Sequence, residues 1–221
     1  NEMYGLIRGR LKYYSTKSKY FKLIRNIHRL EKGLIMVPRK SIFALSYIME
    51  TVNIFSYLTN INDKNNIDHL VWANDVLTEY FKAVDKIEVI DKAFKIFSNS
   101  NCSNKYDHPK MRPYLRNNNI DIIPGYKQML NLAIRRRSVR WYIDKKVPRK
   151  LIDDALIIAN LSPSACNRQP FHYKIFDDQK IISKIANISI GTHGFSHNIK
   201  MLVLLVGTYE AFQEDRDRHL I

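Results

Sequence analysis

Only two cysteines, Cys102 and Cys166, occur in the 221 residues of this chain. Two thiols build neither a disulfide framework nor a zinc site, so burial must hold the fold, and a reducing cytoplasm is the expected location. A long apolar run is also missing. The best candidate, Ile42 to Leu58, is broken by Ser46, Glu50, Thr51, Asn53 and Ser56, which makes it a poor membrane span and a good buried helix. The opening Asn1-Glu2-Met3 leads into a basic, aromatic segment, so no secretory leader is read there, and a first residue other than Met points to a trimmed chain. No Gly-x-Gly-x-x-Gly fingerprint appears, which removes the usual dinucleotide-binding turn. Acidic residues are scarce beside basic ones, 21 against 36, giving a formal net charge of +15. Such an excess can serve nucleic acid, an anionic membrane or anionic ligands. Here it is scattered through every segment, forms no single stripe and accompanies no nucleic-acid motif, so most of it is read as solvated surface. Only residues 135–140 are dense.

What is present reads as a folded chain with 45% hydrophobic and 26% charged residues. Residues 4–32 have a helical pattern expected to stop near Gly33. Ser41 is a candidate cap for a second helix through about Leu58. After a polar turn at 60–66, apolar residues from Ile67 to Phe97 recur at helical spacing, as one long helix or as two joined near Lys86. The polar stretch from Ser98 to Asn119, with Pro109 and Pro113, is the expected linker or surface excursion. Residues 1–122 are therefore read as a helical N-terminal region that declares no chemistry, and 123–221 as a second domain. In that domain Met129, Leu130, Leu132 and Ala133 mark a helix, and Pro148 sits at the start of another. Leu151, Ile152, Ala155, Leu156 and Ala159 would be the buried stripe of the latter. Phe171, Tyr173 and Ile175 alternate as a strand, Ile181 to Ala186 is a short helix, and Gly191 to Gly194 is a flexible loop. Met201 to Val206 reads as a central strand covered on both faces.

Two stretches carry chemistry. Arg135-Arg136-Arg137-Ser138-Val139-Arg140 places four guanidinium groups and a hydroxyl at the end of a helix, a donor set matched to a phosphate. Ser162-Pro163-Ser164-Ala165-Cys166-Asn167-Arg168-Gln169-Pro170-Phe171 combines small residues, which let backbone approach a ligand, with the amides of Asn167 and Gln169. The pair resembles the nitroreductase family, whose pattern is Arg-Arg-Ser-x-Arg-x-Phe/Tyr, then Val-Pro, a helix, and Pro-Ser-x-x-Asn-x-Gln-Pro-Trp/Phe. Arg136, Arg137, Ser138, Arg140, Tyr142, Val147-Pro148, Pro163, Ser164, Asn167, Gln169, Pro170 and Phe171 meet it in order and spacing. His28-Arg29-Leu30-Glu31-Lys32-Gly33-Leu34 more loosely resembles a segment ahead of the flavin domain in some relatives, and otherwise reads as a helix end with His28 and Glu31 exposed or paired.

The resemblance implies an α+β fold of three layers, a central mixed sheet flanked by helices, preceded by the helical N-terminal region. It also implies a homodimer with shared sites for FMN, reduced by NADH or NADPH and passing hydride to a small nitroaromatic- or quinone-like acceptor. By position, Arg136, Arg137 and Ser138 would face the flavin phosphate and ribityl chain, and Arg140 the polar edge of the ring. Pro163, Ser164 and Asn167 would reach it from the other subunit, with Gln169 supporting the loop; no side-chain acid or base is required, and no metal. Cys166 stands where the family often has Gly. His193 and His197 are candidates for substrate contact or plain surface residues. The family pattern continues beyond Ile221 with a helix, a glycine-containing loop and a strand, so the resemblance covers an N-terminal part of that fold. Two other readings are a non-enzymatic module binding nucleic acid or another polyanion, and a flavin-dependent dehydrogenase tailoring a peptide or glycan precursor.

Overall fold

Helix α1 (Thr16–Leu34) starts where Ser15, in extended conformation, accepts the Ser18 N–H on its hydroxyl at 3.1 Å. The computed structural model describes residues 4, 7, 8, 11, 12, 15–61, 67–100, 110–115 and 124–211. Lys12 lies in a turn ahead of Ser15, so the single helix expected over residues 4–32 is interrupted before Thr16. Helix α1 ends at Leu34, next to Gly33 as expected, but Gly33 itself is still helical, and the ring of Phe43 occupies the space a Cβ would need. Close approach, rather than a left-handed cap, explains that glycine.

Helix α2 (Ile48–Ile61) begins well after Ser41, which does not cap it. The intervening turn is built on Ala44, at φ 67°, whose carbonyl accepts from Tyr47 and Ile48. Helices α3 (Ile67–Ala83) and α4 (Glu88–Ser98) resolve the long apolar pattern into two, with the break at Lys86 where it was expected. Residues 101–109 and 116–123, most of the anticipated linker, lie outside the described residues.

The chain forms two compact units. The first comprises residues 1–114, 163–171 and 207–221. Its core is the inward face of four helices: Leu23, Ile27 and Leu30 of α1, Val52, Phe55 and Leu58 of α2, Val76, Leu77 and Tyr80 of α3, and Ala93 of α4, all 0% exposed. Spacings of three and four put these residues on one stripe of each helix. Each large side chain so buried contributes about 1.5–3 kcal/mol of transfer free energy before entropy is counted. Phe81 stacks on Phe97 at 5.4 Å, and Tyr80 meets Phe43 edge-on at 5.1 Å while donating its hydroxyl to the Phe43 carbonyl at 2.9 Å. On the flank of α1, Lys19 sits 3.5 Å from the centre of the Tyr57 ring and Arg29 3.7 Å from that of Tyr47, tying α1 to α2 and to the turn before it.

The second unit comprises residues 115–162 and 172–206. It holds α5 (Tyr126–Arg135), α6 (Arg149–Ala159), most of β1 (Phe171–Phe176), α7 (Gln179–Ala186) and most of β2 (Leu202–Gly207). Asp178 caps α7 by accepting from the Lys180 and Ile181 N–H groups at 2.8 and 3.0 Å. Strands β1 and β2 pair in a two-stranded sheet, consistent with an α+β fold. Two expectations fail here. The α6 stripe is not buried: Leu151 and Ala155 are exposed, and Ile152, Leu156 and Ala159 are only half-buried. Strand β2 is not covered on both faces, since Val203, Leu204 and Leu205 are each about 40% exposed. An apolar stripe is buried only when another element lies on it, and among the described residues this unit has too few to cover either. No helix of the described residues is long and apolar enough to cross a membrane.

Replacing Gly33 by Ala sets a helix-propensity gain of about 1 kcal/mol against overpacking on Phe43, typically about 1–3 kcal/mol. Because the Phe43 ring is itself wedged on Tyr80, the clash should win. Gly33→Ala is expected to lower stability by about 1 kcal/mol in urea unfolding, and most of that loss should vanish in a Phe43→Leu background. A more stable Gly33→Ala protein would show that the ring moves freely.

Candidate active site

Helix α5 ends at Arg135, and the Arg136 N–H closes it by donating to the Leu132 carbonyl at 3.1 Å. Arginines at this point complement the negative end of the helix dipole, so the helix tolerates their density. Beyond it the chain runs irregularly to Pro148, with the Tyr142 hydroxyl donating to the Val139 carbonyl at 2.8 Å. The segment is tied to the loop before β2 three times within the second unit. Asn198 donates from Nδ2 to the Arg140 carbonyl at 3.0 Å, Lys200 pairs with Asp144 at 2.7 Å, and Trp141 meets His197 edge-on at 5.8 Å. His197 is thus a ring neighbour of Trp141, and both are exposed. The Lys200 ammonium holds the Asp144 carboxyl below its ordinary range, chiefly through that hydrogen bond.

Arg135, Arg136, Arg137, Ser138 and Arg140 are all exposed, and among the described residues none of the four arginines has a carboxylate partner. Among the described residues the hydrogen bond made by a guanidinium group of the cluster is Arg137 Nη1 to the Arg136 carbonyl, a long 3.4 Å. Four guanidinium groups without counter-charge keep nearly all of their donor capacity, which suits a phosphate monoester and supplies no apolar box for a ring.

The second stretch belongs to the first unit and packs on α1. Ala165–Asn167 is a single turn of 3-10 helix, but Cys166, Asn167 and Gln169 have φ of 55°, 52° and 44°. Three non-glycine residues in the left-handed region within four positions is costly, about 1–2 kcal/mol each, and such strain concentrates where a backbone must serve a ligand. The loop is braced accordingly. Ser164 Oγ accepts the Gln169 N–H at 2.9 Å, leaving its own O–H to donate elsewhere. Gln169 Nε2 donates to Asn167 Oδ1 at 3.2 Å, which turns the Asn167 NH2 group outward as donor. Pro163 is exposed at the mouth of the loop. The two stretches therefore lie in different units, each with its functional groups presented.

Sequence reasoning passed over Arg168. Its side chain, 7% exposed, donates from Nε to the Ala165 carbonyl and from Nη1 to the Ala211 carbonyl, both at 3.1 Å. It pins the strained loop to the turn at Tyr209–Ala211, and the Thr208 N–H to Pro170 carbonyl bond at 2.8 Å does the same one step on. A charged residue set between two loop amides was the available signal; nothing in sequence says that it turns inward.

Residues 133–193 match the family described as Nitroreductase family. A protein of Methanothermobacter thermautotrophicus, provisionally named NADH dehydrogenase/NAD(P)H nitroreductase, is 38% identical over 53 residues, 24% of this chain and 28% of that protein. One of Archaeoglobus fulgidus with the same provisional name is 33% identical over 60 residues, 27% of this chain and 34% of that protein. The chain thus spans about a third of the length of the curated relatives it matches. No solved structure matches it.

The φ of 55° at Cys166 makes glycine the residue of choice there. Cys166→Gly should raise stability by about 0.5–1 kcal/mol, the left-handed strain relieved less the entropy glycine adds to the unfolded chain. Cys166→Val should lower it by about 1–2 kcal/mol, since a β-branched residue fits that region worst. Urea midpoints of the two variants decide: a Val variant as stable as the Gly variant would mean the loop is not held in this conformation.

Proposed function

We propose that this chain, which carries a nitroreductase-family segment at residues 133–193, is the flavin-binding part of an NAD(P)H-dependent oxidoreductase that uses FMN. The observation that carries the reading is the Arg136-Arg137-Ser138-x-Arg140 cluster, exposed at the end of α5 without a carboxylate partner among the described residues. It is a phosphate site in donor chemistry, and the terminal phosphate of FMN is the anion the family segment calls for. FAD is disfavoured because a cluster built for a terminal phosphate leaves no place for adenine, and no dinucleotide fingerprint is present.

When bound, the flavin would supply the redox chemistry, taking hydride from NADH or NADPH and passing it to a small acceptor, of nitroaromatic or quinone type. The chain's own residues would bind and orient. Arg136 and Arg137 would neutralise the phosphate, Ser138 would add a neutral donor, and Arg140 would place positive charge where reduction adds electrons. Asn167, with its NH2 group turned outward, and Ser164, with a hydroxyl proton to give, would offer hydrogen bonds to the polar edge of the ring, while Pro163 would limit water above it. Gln169 would hold Asn167 in that orientation, and Arg168 would hold the loop.

A homodimer follows in this reading, with the loop of one protomer serving the flavin of its partner. The exposed apolar residues of the second unit support it: Leu132, Ile143, Leu151, Ile157, Ile158 and Leu161 are each at least 60% exposed, more apolar surface than an isolated soluble unit ordinarily leaves in water. The three-layer sheet arrangement and a cytoplasmic location belong to the same proposal. The unpaired arginines also suit a polyanion such as nucleic acid; retention on heparin by a colourless protein would favour that reading.

Acid-released cofactor from purified protein should run as FMN on chromatography. Arg136→Ala should weaken FMN binding by about 1.5–3 kcal/mol, the scale of a charged hydrogen bond, and Ser138→Ala by less. Recovered FAD, or undiminished FMN affinity in Arg136→Ala, would overturn the assignment.

Shared sites allow complementation. An Arg136→Glu protomer mixed with a Ser164→Trp protomer should regain activity approaching about one quarter of wild type after random exchange, since half the dimers are mixed and each then has one good site. Verified exchange without recovery would remove the shared site.

A further inference from the structure

His28-Arg29-Leu30-Glu31-Lys32 takes no part in the site above. His28 and Glu31 are one turn apart on α1, with His28 Nδ1 3.8 Å from Glu31 Oε2. Trp72 of α3 donates its indole N–H to Glu31 Oε1 at 2.8 Å. The same face of α3 continues with Asp75 and Glu79 at spacings of three and four. Asp75 Oδ2 accepts the Met111 N–H at 2.8 Å, and Glu79 pairs with the Arg112 guanidinium. Residues 110–114 are thereby strapped beside α3. Between this strap, Trp72 and the end of α1 lies a cleft of ≈ 540 Å³, all of it within the first unit. That volume is in the range of small-molecule sites.

The lining is two-sided in character. Trp72 and Tyr114 offer aromatic surface, and Ile35, Met111 and Pro113 are apolar. Lys32 and Lys110 are exposed and have no ion pair among the described residues, whereas the Arg112 charge is engaged by Glu79. Glu31 is the one carboxylate among the described lining residues; burial raises its pKa, against the opposing Trp72 hydrogen bond. Burial, and then the charge of Lys32, lowers the pKa of His28 and favours the neutral imidazole. Positive charge therefore exceeds negative, and it stands over flat apolar walls.

We propose that this cleft binds a small aromatic anion, its ring against Trp72 and Tyr114 and its acid group drawn to Lys32 and Lys110. Neutral His28 and Glu31 then accept hydrogen bonds from a ring hydroxyl or amine. An uncharged aromatic would leave the lysines unused, and an anion without a ring would leave the apolar walls wet. The assignment stands apart from the flavin reading, because every residue it uses lies outside the segment assigned to the cofactor.

The protein has two tryptophans, so Trp141→Phe leaves Trp72 as the sole indole reporter in the full chain. Titrating 2-naphthoate into that variant should change Trp72 emission saturably at submillimolar concentration. Lys32→Ala/Lys110→Ala in the same background should weaken the binding about tenfold or more, and uncharged 2-naphthol should bind wild-type lysines at least about tenfold more weakly than naphthoate. The double lysine variant should carry as much FMN as its Trp141→Phe background, so that loss of naphthoate binding is read separately from loss of flavin. No saturable response, an unchanged affinity in the double lysine variant, or equal binding of 2-naphthol would overturn the proposal.

Discussion

Burial of one face of α1 is the constraint on which most of the first unit depends. Leu23, Ile27 and Leu30 are fully removed from water against α2 and α3. The same helix is touched by the turn at Ala165–Asn167 and by the turn at Tyr209–Ala211. A strained loop and a ligand-sized cleft are therefore both referred to a single rigid rod. Loosening the rod would cost more than packing: the left-handed residues at 166, 167 and 169 persist only while their surroundings over-determine them.

The loop and the arginine cluster are positioned by opposite means. The loop is held by buried polar contacts, with Arg168 reaching two carbonyls and Ser164 receiving a backbone N–H. The cluster is held by its helix end and by the ties from Asn198 and Lys200, while its own charges are exposed without a carboxylate partner among the described residues. A strained loop needs bracing before a ligand arrives. A set of cations that is to take up an anion gains from being left unneutralised, because an internal carboxylate would compete with the incoming charge.

Periodicity was a good guide wherever a helix has somewhere to bury its stripe. The helical character of residues 67–98, the helix before the arginines and the strand at Phe171 all follow from spacing alone, while spacing left open whether residues 67–98 form one helix or two joined near Lys86. It misled where the partner surface decides. The stripe on α6 and the apolar run of β2 look like core in sequence, yet they stay open to water within their unit. Gly33 marked the end of α1 in the right place but for another reason, because one glycine serves a cap and a close approach equally well until Phe43 is in place.

By itself the sequence determined the chemistry available: four guanidinium groups and a hydroxyl at a helix end, two amides in a small-residue loop, and an order and spacing of the two that resemble the nitroreductase family's. Those follow from residue type and order, which no folding alters. Tertiary structure alone decided orientation. It turned Arg168 inward and Asn167 outward, set Cys166 in the backbone region that glycine prefers, and brought Trp72 from 41 residues away onto Glu31. Such pairings cross helices, and the one-dimensional pattern has no term for which faces meet.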